Sequence, residues 1–144
     1  MPEIELVLDC RAIIGESPTW FAPEQALYWI DVKAPTLHRL SADGSQAQWR
    51  LEADIGAFAL LEGAKGALVA LRNGIFRLDF ASGETGLLAP PPFDPDLFRF
   101  NEGVCDAEGR FWVGDVRSPS RRYGRAKRRA SASIQLRRGA RRRR

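Results

Sequence analysis

The sequence has little of the material from which histidine and cysteine sites are built. His38 is the only histidine among 144 residues, which argues strongly against a Ser–His–Asp triad or a multi-histidine zinc site. Cys10 and Cys105 are the only cysteines and form no CxxC pair, so we expect reduced, structural thiols. No run approaches the ~18–20 apolar residues of a membrane-spanning helix, and the acidic N-terminal residues are unlike a secretory signal. We therefore expect a cytoplasmic protein with no membrane partner.

Acidic residues are absent from the last part of the chain. Residues 1–116 contain all 18 aspartates and glutamates and nine of the 22 basic residues. Residues 117–144 contain the other thirteen basic residues, twelve of them arginine. A segment of that composition cannot bury a core, and we expect it to be disordered. The composition thus predicts a folded region at 1–116 and a basic tail at 117–144.

A sustained helical period is also absent from the folded region. Short apolar runs such as Ala26–Val32, Thr36–Leu40 and Ile75–Phe80 alternate instead with Gly, Pro, Asp and Asn residues, as is typical of strands and turns. The Asp43-Gly44 pair predicts a hairpin. Ile55–Leu61 could form a helix, but its glycine flanks favour a strand. The prediction is an all-β fold.

Similar strands recur along the chain. Tyr28-Trp29-Ile30-Asp31, Leu68-Val69-Ala70-Leu71 and Phe111-Trp112-Val113-Gly114 begin 40 and then 43 residues apart. A period near 40 with about four short strands per unit is typical of β-propeller blades. The alternative is a β-sandwich whose hairpins happen to be evenly spaced.

Two groups of motifs resemble a known family. They are Gly15-Glu16-Ser17-Pro18-Thr19-Trp20 with Leu27-Tyr28-Trp29-Ile30-Asp31, and Arg99-Phe100-Asn101-Glu102-Gly103 with Gly109-Arg110-Phe111-Trp112-Val113-Gly114. Between about residues 5 and 114 the chain resembles the family of senescence marker protein (regucalcin), gluconolactonase and luciferin-regenerating enzyme. The resemblance implies a six-bladed β-propeller that binds a divalent metal and hydrolyses sugar lactones. It implies about two of the six blades here, and so a truncated member, inactive alone.

The resemblance also implies three site residues. Glu16 matches the family's metal-binding glutamate, and Arg99 and Asn101 match its substrate-binding pair. The implied metal is calcium, with zinc or magnesium as alternatives, and the implied substrate is a sugar lactone. Strand geometry agrees for the pair, because residues two apart share one face. We expect no catalytic base within this chain, since the family supplies it from a later blade.

The arginine-rich tail leaves two interpretations open. It could be an arm that binds nucleic acid non-specifically through phosphates, or the frame-shifted end of a coding sequence, which the near absence of lysine favours. The functional prediction is therefore a metal-dependent sugar-lactone hydrolase. The alternative is a small β-domain whose basic arm binds nucleic acid.

Overall fold

Three antiparallel sheets follow one another along the chain. The computed structural model describes residues 1, 3–120 and 134–136, and the two short 3₁₀ turns Ala22–Glu24 and Glu62–Ala64 are the helical segments of that part. No helix among the described residues is long and apolar enough to cross a membrane. The first sheet consists of β1 (Gly15–Phe21), β2 (Ala26–Asp31), β3 (Thr36–Ser41) and β4 (Gln46–Arg50). The second consists of β5 (Ile55–Leu60), β6 (Gly66–Leu71), β7 (Gly74–Asp79) and β8 (Thr85–Ala89). The third consists of β9 (Phe98–Cys105), β10 (Phe111–Arg117) and β11 (Ile134–Leu136).

Each sheet is a meander in which every strand pairs with the next strand of the chain. The strand prediction is confirmed, including the ambiguous segment at residue 55, which forms β5. Asp43 and Gly44 form the predicted turn, where the Asp43 carboxylate accepts the Ser45 N–H at 2.9 Å. Successive meanders of about 40 residues are the pattern of propeller blades, and a sandwich of two sheets is not what forms.

The two hydrophobic cores lie between neighbouring sheets. Alternate residues of a strand face opposite sides of its sheet, so the second sheet contributes to both cores. Burial of these apolar side chains is the main stabilising contribution to the arrangement. The buried members are Ala26, Tyr28, Ile30, Val32, Leu37, Ile55, Phe58, Ala67, Val69, Leu71, Phe76 and Leu78 in the first core, and Ala57, Ala70, Ile75, Phe100, Phe111 and Val113 in the second.

The first strand of every sheet contains a β-bulge. The pairing register shifts between Glu16 and Thr19 in β1 and at Gly56 in β5. It shifts again at Glu102 in β9. Ser17 and Glu102 have positive φ angles of 57° and 55°, as residues at bulges often do. A further register shift lies between Ile75 and Phe76, where β7 pairs with β8.

The predicted basic tail is described in two short stretches. Strand β10 extends to Arg117, and Ile134–Leu136 pairs antiparallel with β10, so that Gln135 lies opposite Trp112. This strand falls in the uncharged stretch 131–136. The remainder of the tail, and with it most of the predicted disorder, lies outside the described residues. The domain boundary at residue 116 stays a prediction.

Candidate functional site

A cleft of about 790 Å³ lies between the first and third sheets. One wall is the beginning of β1, residues 16–19, and the other consists of residues 101–104 of β9 and 112–115 of β10. The bulges at Ser17 and at Glu102 are part of these walls. The strand irregularities thus place polar side chains at the cleft.

Glu16 enters this cleft at the beginning of β1, where it is partly buried. The segment before it is fixed to the first sheet by two contacts. The Val32 N–H donates to the Ile14 carbonyl at 2.9 Å, and the carboxylate of Asp31 accepts the N–H groups of Ile13 and Ile14 at 2.7 and 3.2 Å. Glu16 therefore follows a segment, residues 13–14, that is anchored to the end of β2.

Asp31 is the buried centre of that anchor. Its carboxylate also accepts the N–H groups of Lys33 and Ala34, at 3.0 and 3.1 Å. Burial by itself would raise the pKa of Asp31, but the four backbone hydrogen bonds together lower it below its ordinary value. The carboxylate is thus held in its charged form, and it joins the β2–β3 turn to the segment that precedes Glu16.

Arg99 and Asn101 lie in β9 on either side of Phe100. Phe100 is fully buried in the second core, where the Phe93 ring packs against it edge-on at 4.8 Å. The alternation places Arg99 and Asn101 on the opposite face. Asn101 lines the cleft, and Arg99 Nη1 donates to the Phe100 carbonyl at 3.0 Å. Arg99 Nε is buried and has no hydrogen-bond acceptor among the described residues.

The surroundings of Arg99 lower the pKa of its guanidinium. Burial lowers the pKa of its guanidinium, and the negative charges of Glu16 and Asp54 only partly offset that effect, while Arg72 adds to it. Of the three predicted site residues, Glu16 from the first sheet and Asn101 from the third line the same cleft, whereas Arg99 is not among the residues that line it.

Two contacts from the second sheet fix β9 in place. Arg72 donates to the carbonyls of Pro95 and Phe98 at 3.0 Å, and to that of Ser118 at 2.8 Å. Gly56 lies against the backbone of β9, since a Cβ at Gly56 would stand 2.0 Å from the Phe100 oxygen. Sequence reasoning missed both residues. An isolated glycine within a strand is a recognised sign of close backbone approach, but nothing in the sequence marks Arg72.

The oxygen donors present suit a hard divalent cation, although they do not complete a site. Glu16 offers a carboxylate, and calcium prefers such oxygen ligands in a set of about 6–8. The residues that the structure describes contain no cluster of three or more His, Cys, Asp or Glu that could hold a metal ion. Glu102 and Asp115 also line the cleft, but they do not form such a cluster with Glu16.

A family model described as "SMP-30/Gluconolactonase/LRE-like region" matches residues 14–138. The chain belongs to this family. The match continues past the predicted boundary at residue 116 and includes β11, so it is longer than the motifs alone indicate.

Curated relatives carry lactonase names. The chain is 43% identical over 123 residues to 6-deoxy-6-sulfogluconolactonase of Pseudomonas putida, covering 84% of this chain and 42% of that protein. It is 35% identical over 111 residues to L-arabinolactonase of Azospirillum brasilense, covering 76% of this chain and 36% of that protein. The chain therefore spans about two fifths of the length of these relatives.

A solved structure agrees with the fold described above. A regucalcin from Agrobacterium tumefaciens, described as a calcium-binding protein, superposes with a TM-score of 0.66 at 28% identity, covering 74% of this chain and 36% of that one. The prediction of propeller-type sheets of the regucalcin family is confirmed.

Proposed function

We propose that this chain contributes the first part of the active site of a metal-dependent sugar-lactone hydrolase. In this proposal Glu16 is a metal ligand, and Arg99 and Asn101 bind the lactone. The observation that carries it is that Glu16 and Asn101 line one cleft; Arg99, two residues before Asn101, has a buried Nε–H with no acceptor among the described residues. The lactonase names of the relatives support the substrate class.

Each of the three side chains has a role that its chemistry allows. Glu16 supplies carboxylate oxygens, which hard divalent cations prefer. Arg99 supplies donors in a fixed planar geometry, and Asn101 supplies both a donor and an acceptor, a combination that suits hydroxyls and a ring oxygen. A divalent cation, when bound, polarises a lactone carbonyl and lowers the pKa of an attacking water. We assign no catalytic base to the described residues.

The metal ligand is tested first by calcium titration of the 144-residue chain. Glu16 supplies at most two oxygens, so we expect no micromolar binding by calorimetry and no saturable hydrolysis of glucono-1,5-lactone. At millimolar calcium we expect local NMR shifts in the amides of residues 15–18. The Glu16→Gln variant should lose these shifts, and Glu84→Gln, which changes an exposed glutamate of the second sheet, should retain them.

The outcomes separate the parts of the proposal. Calcium shifts that persist in Glu16→Gln, or that never appear at residues 15–18, would remove Glu16 as a ligand. Micromolar affinity together with turnover that Glu16→Ala abolishes would show that this chain holds a complete site. Lactone-dependent shifts at Arg99 and Asn101, measured separately, test the substrate-binding pair.

A further inference from the structure

We infer that Arg72, oriented by Asp54, is a positioning residue that sets the geometry of Arg99 and Asn101. The inference deepens the proposed function and rests on it for the identity of the site, although the contacts themselves do not depend on it. Arg72 lies in the turn between β6 and β7, in the second sheet, and the pair that it would position lies in the third.

The guanidinium of Arg72 joins the two ends of the β9–β10 hairpin. Its Nη1 donates to carbonyls on both sides of that hairpin, those of Pro95 and Phe98 at the beginning of β9 and that of Ser118 just after β10. Without Arg72 the carbonyls of Phe98 and Ser118 would lose a partner in a partly buried place, which is costly, whereas the contact with Pro95 is exposed. One side chain thus ties the hairpin to the second sheet, one residue away from Arg99.

Asp54 holds the guanidinium in the orientation that these contacts need. It accepts from Arg72 Nη2 at 2.8 Å and also from Lys33 Nζ of the first sheet. The side chains of Arg72 and Asp54 are only 14% and 20% exposed, so their pairing is shielded from water. Burial would raise the pKa of Asp54, but its hydrogen bonds to Lys33 and Arg72 and their charges lower it. Lys33, Asp54 and Arg72 therefore link all three sheets.

The shape of the arginine side chain is what the inference requires. A planar guanidinium can donate from one end to Asp54 and from the other to several carbonyls, whereas a lysine ammonium is a point donor on a flexible stem. A lysine at position 72 would keep the charge opposite Asp54 without holding both ends of the hairpin. Arg72→Lys should therefore fail to restore the geometry of the site.

The test is side-chain and amide NMR of the full chain without ligand. In Arg72→Gln we expect the Arg99 Nε–H and Asn101 side-chain amide signals to move, and β9 amides to exchange with solvent about tenfold faster or more. Arg72→Lys should resemble Arg72→Gln. Arg77→Gln, which changes an exposed arginine of the same sheet, should leave the signals of Arg99 and Asn101 in place.

A second variant protects the test against loss of folding. If Arg72→Gln does not fold, Asp54→Asn retains Arg72, removes its orienting partner and should shift the same signals. Unmoved Arg99 and Asn101 signals in a folded Arg72→Gln or Asp54→Asn variant, or full restoration by Arg72→Lys, would overturn the inference. Addition of glucono-1,5-lactone tests the proposed function separately. If the lactone leaves the wild-type signals unchanged while Arg72→Gln moves them, the positioning role stands and the substrate assignment fails.

Discussion

Replacing Gly56 with alanine is expected to destabilise the protein by about 2–3 kcal/mol or more, because the new methyl group meets backbone atoms. The Cβ would stand 2.0 Å from the Phe100 oxygen and 2.8 Å from the Asn101 nitrogen. A backbone carbonyl in a paired strand cannot rotate away as a side chain can. The clash is relieved only if β9 moves away from β5, and Arg99 and Asn101 then move with β9.

The measurement is urea denaturation combined with amide NMR of the folded variant. Gly86→Ala is the matched control, since a Cβ at Gly86 in β8 has no neighbour within 4 Å. That control should be neutral or should stabilise the protein by up to about 1 kcal/mol, because alanine lowers the conformational entropy of the unfolded chain. Equal stabilities for the two variants, or unshifted Phe100 and Asn101 amides in Gly56→Ala, would mean that β9 is not held by this contact.

The second large effect is expected for Asp31→Ala, which removes the acceptor of four backbone N–H groups. Unsatisfied donors in a buried place cost free energy, and we expect a loss of about 2–4 kcal/mol. Asp43→Ala is the control, because that exposed carboxylate accepts a single backbone N–H, from Ser45. Its loss should be below about 1 kcal/mol.

The pH dependence of stability gives a separate check on Asp31. The folded-state pKa is lowered, so the contribution of this carboxylate is complete above the ordinary aspartate pKa of about 3.9. It is lost as pH falls through the lower, folded-state pKa. The difference in unfolding free energy between wild type and Asp31→Ala should therefore be constant from about pH 5 to 7 and shrink below about pH 4. A constant difference down to pH 2 would contradict the role of the charged carboxylate.

The regular parts of the fold could be predicted because their signals are local. Apolar alternation and turn residues mark β2, β3, β6 and β7 within one or two positions of their observed ends. The two-residue period also separates Arg99 and Asn101 from the buried Phe100. These features depend on neighbours in the chain, which a sequence displays directly.

The supports of the site could not be predicted because they depend on contacts between sheets. Arg72 stands in an ordinary hairpin turn, and nothing nearby in the sequence indicates that Pro95, Phe98 and Ser118 will present carbonyls to it. The same holds for Gly56, whose partner is the backbone of a later strand. Such contacts arise only when the sheets have packed.

The bulges in β1, β5 and β9 have a consequence for the substitutions that this chain can accept. An extra residue in a strand shifts the alternation of its side chains by one position. Side chains before and after the bulge that would otherwise face opposite sides of the sheet then face the same side. In β5 the first core receives Ile55 before the bulge and Phe58 after it, and in β9 Phe100 and Gly103 stand in the same relation to β10. In both strands, the residues on the two sides of the bulge are three positions apart and still face the same side of the sheet. Substitutions at the cleft walls can therefore change the chemistry of the cleft without changing which side chains are buried in the cores.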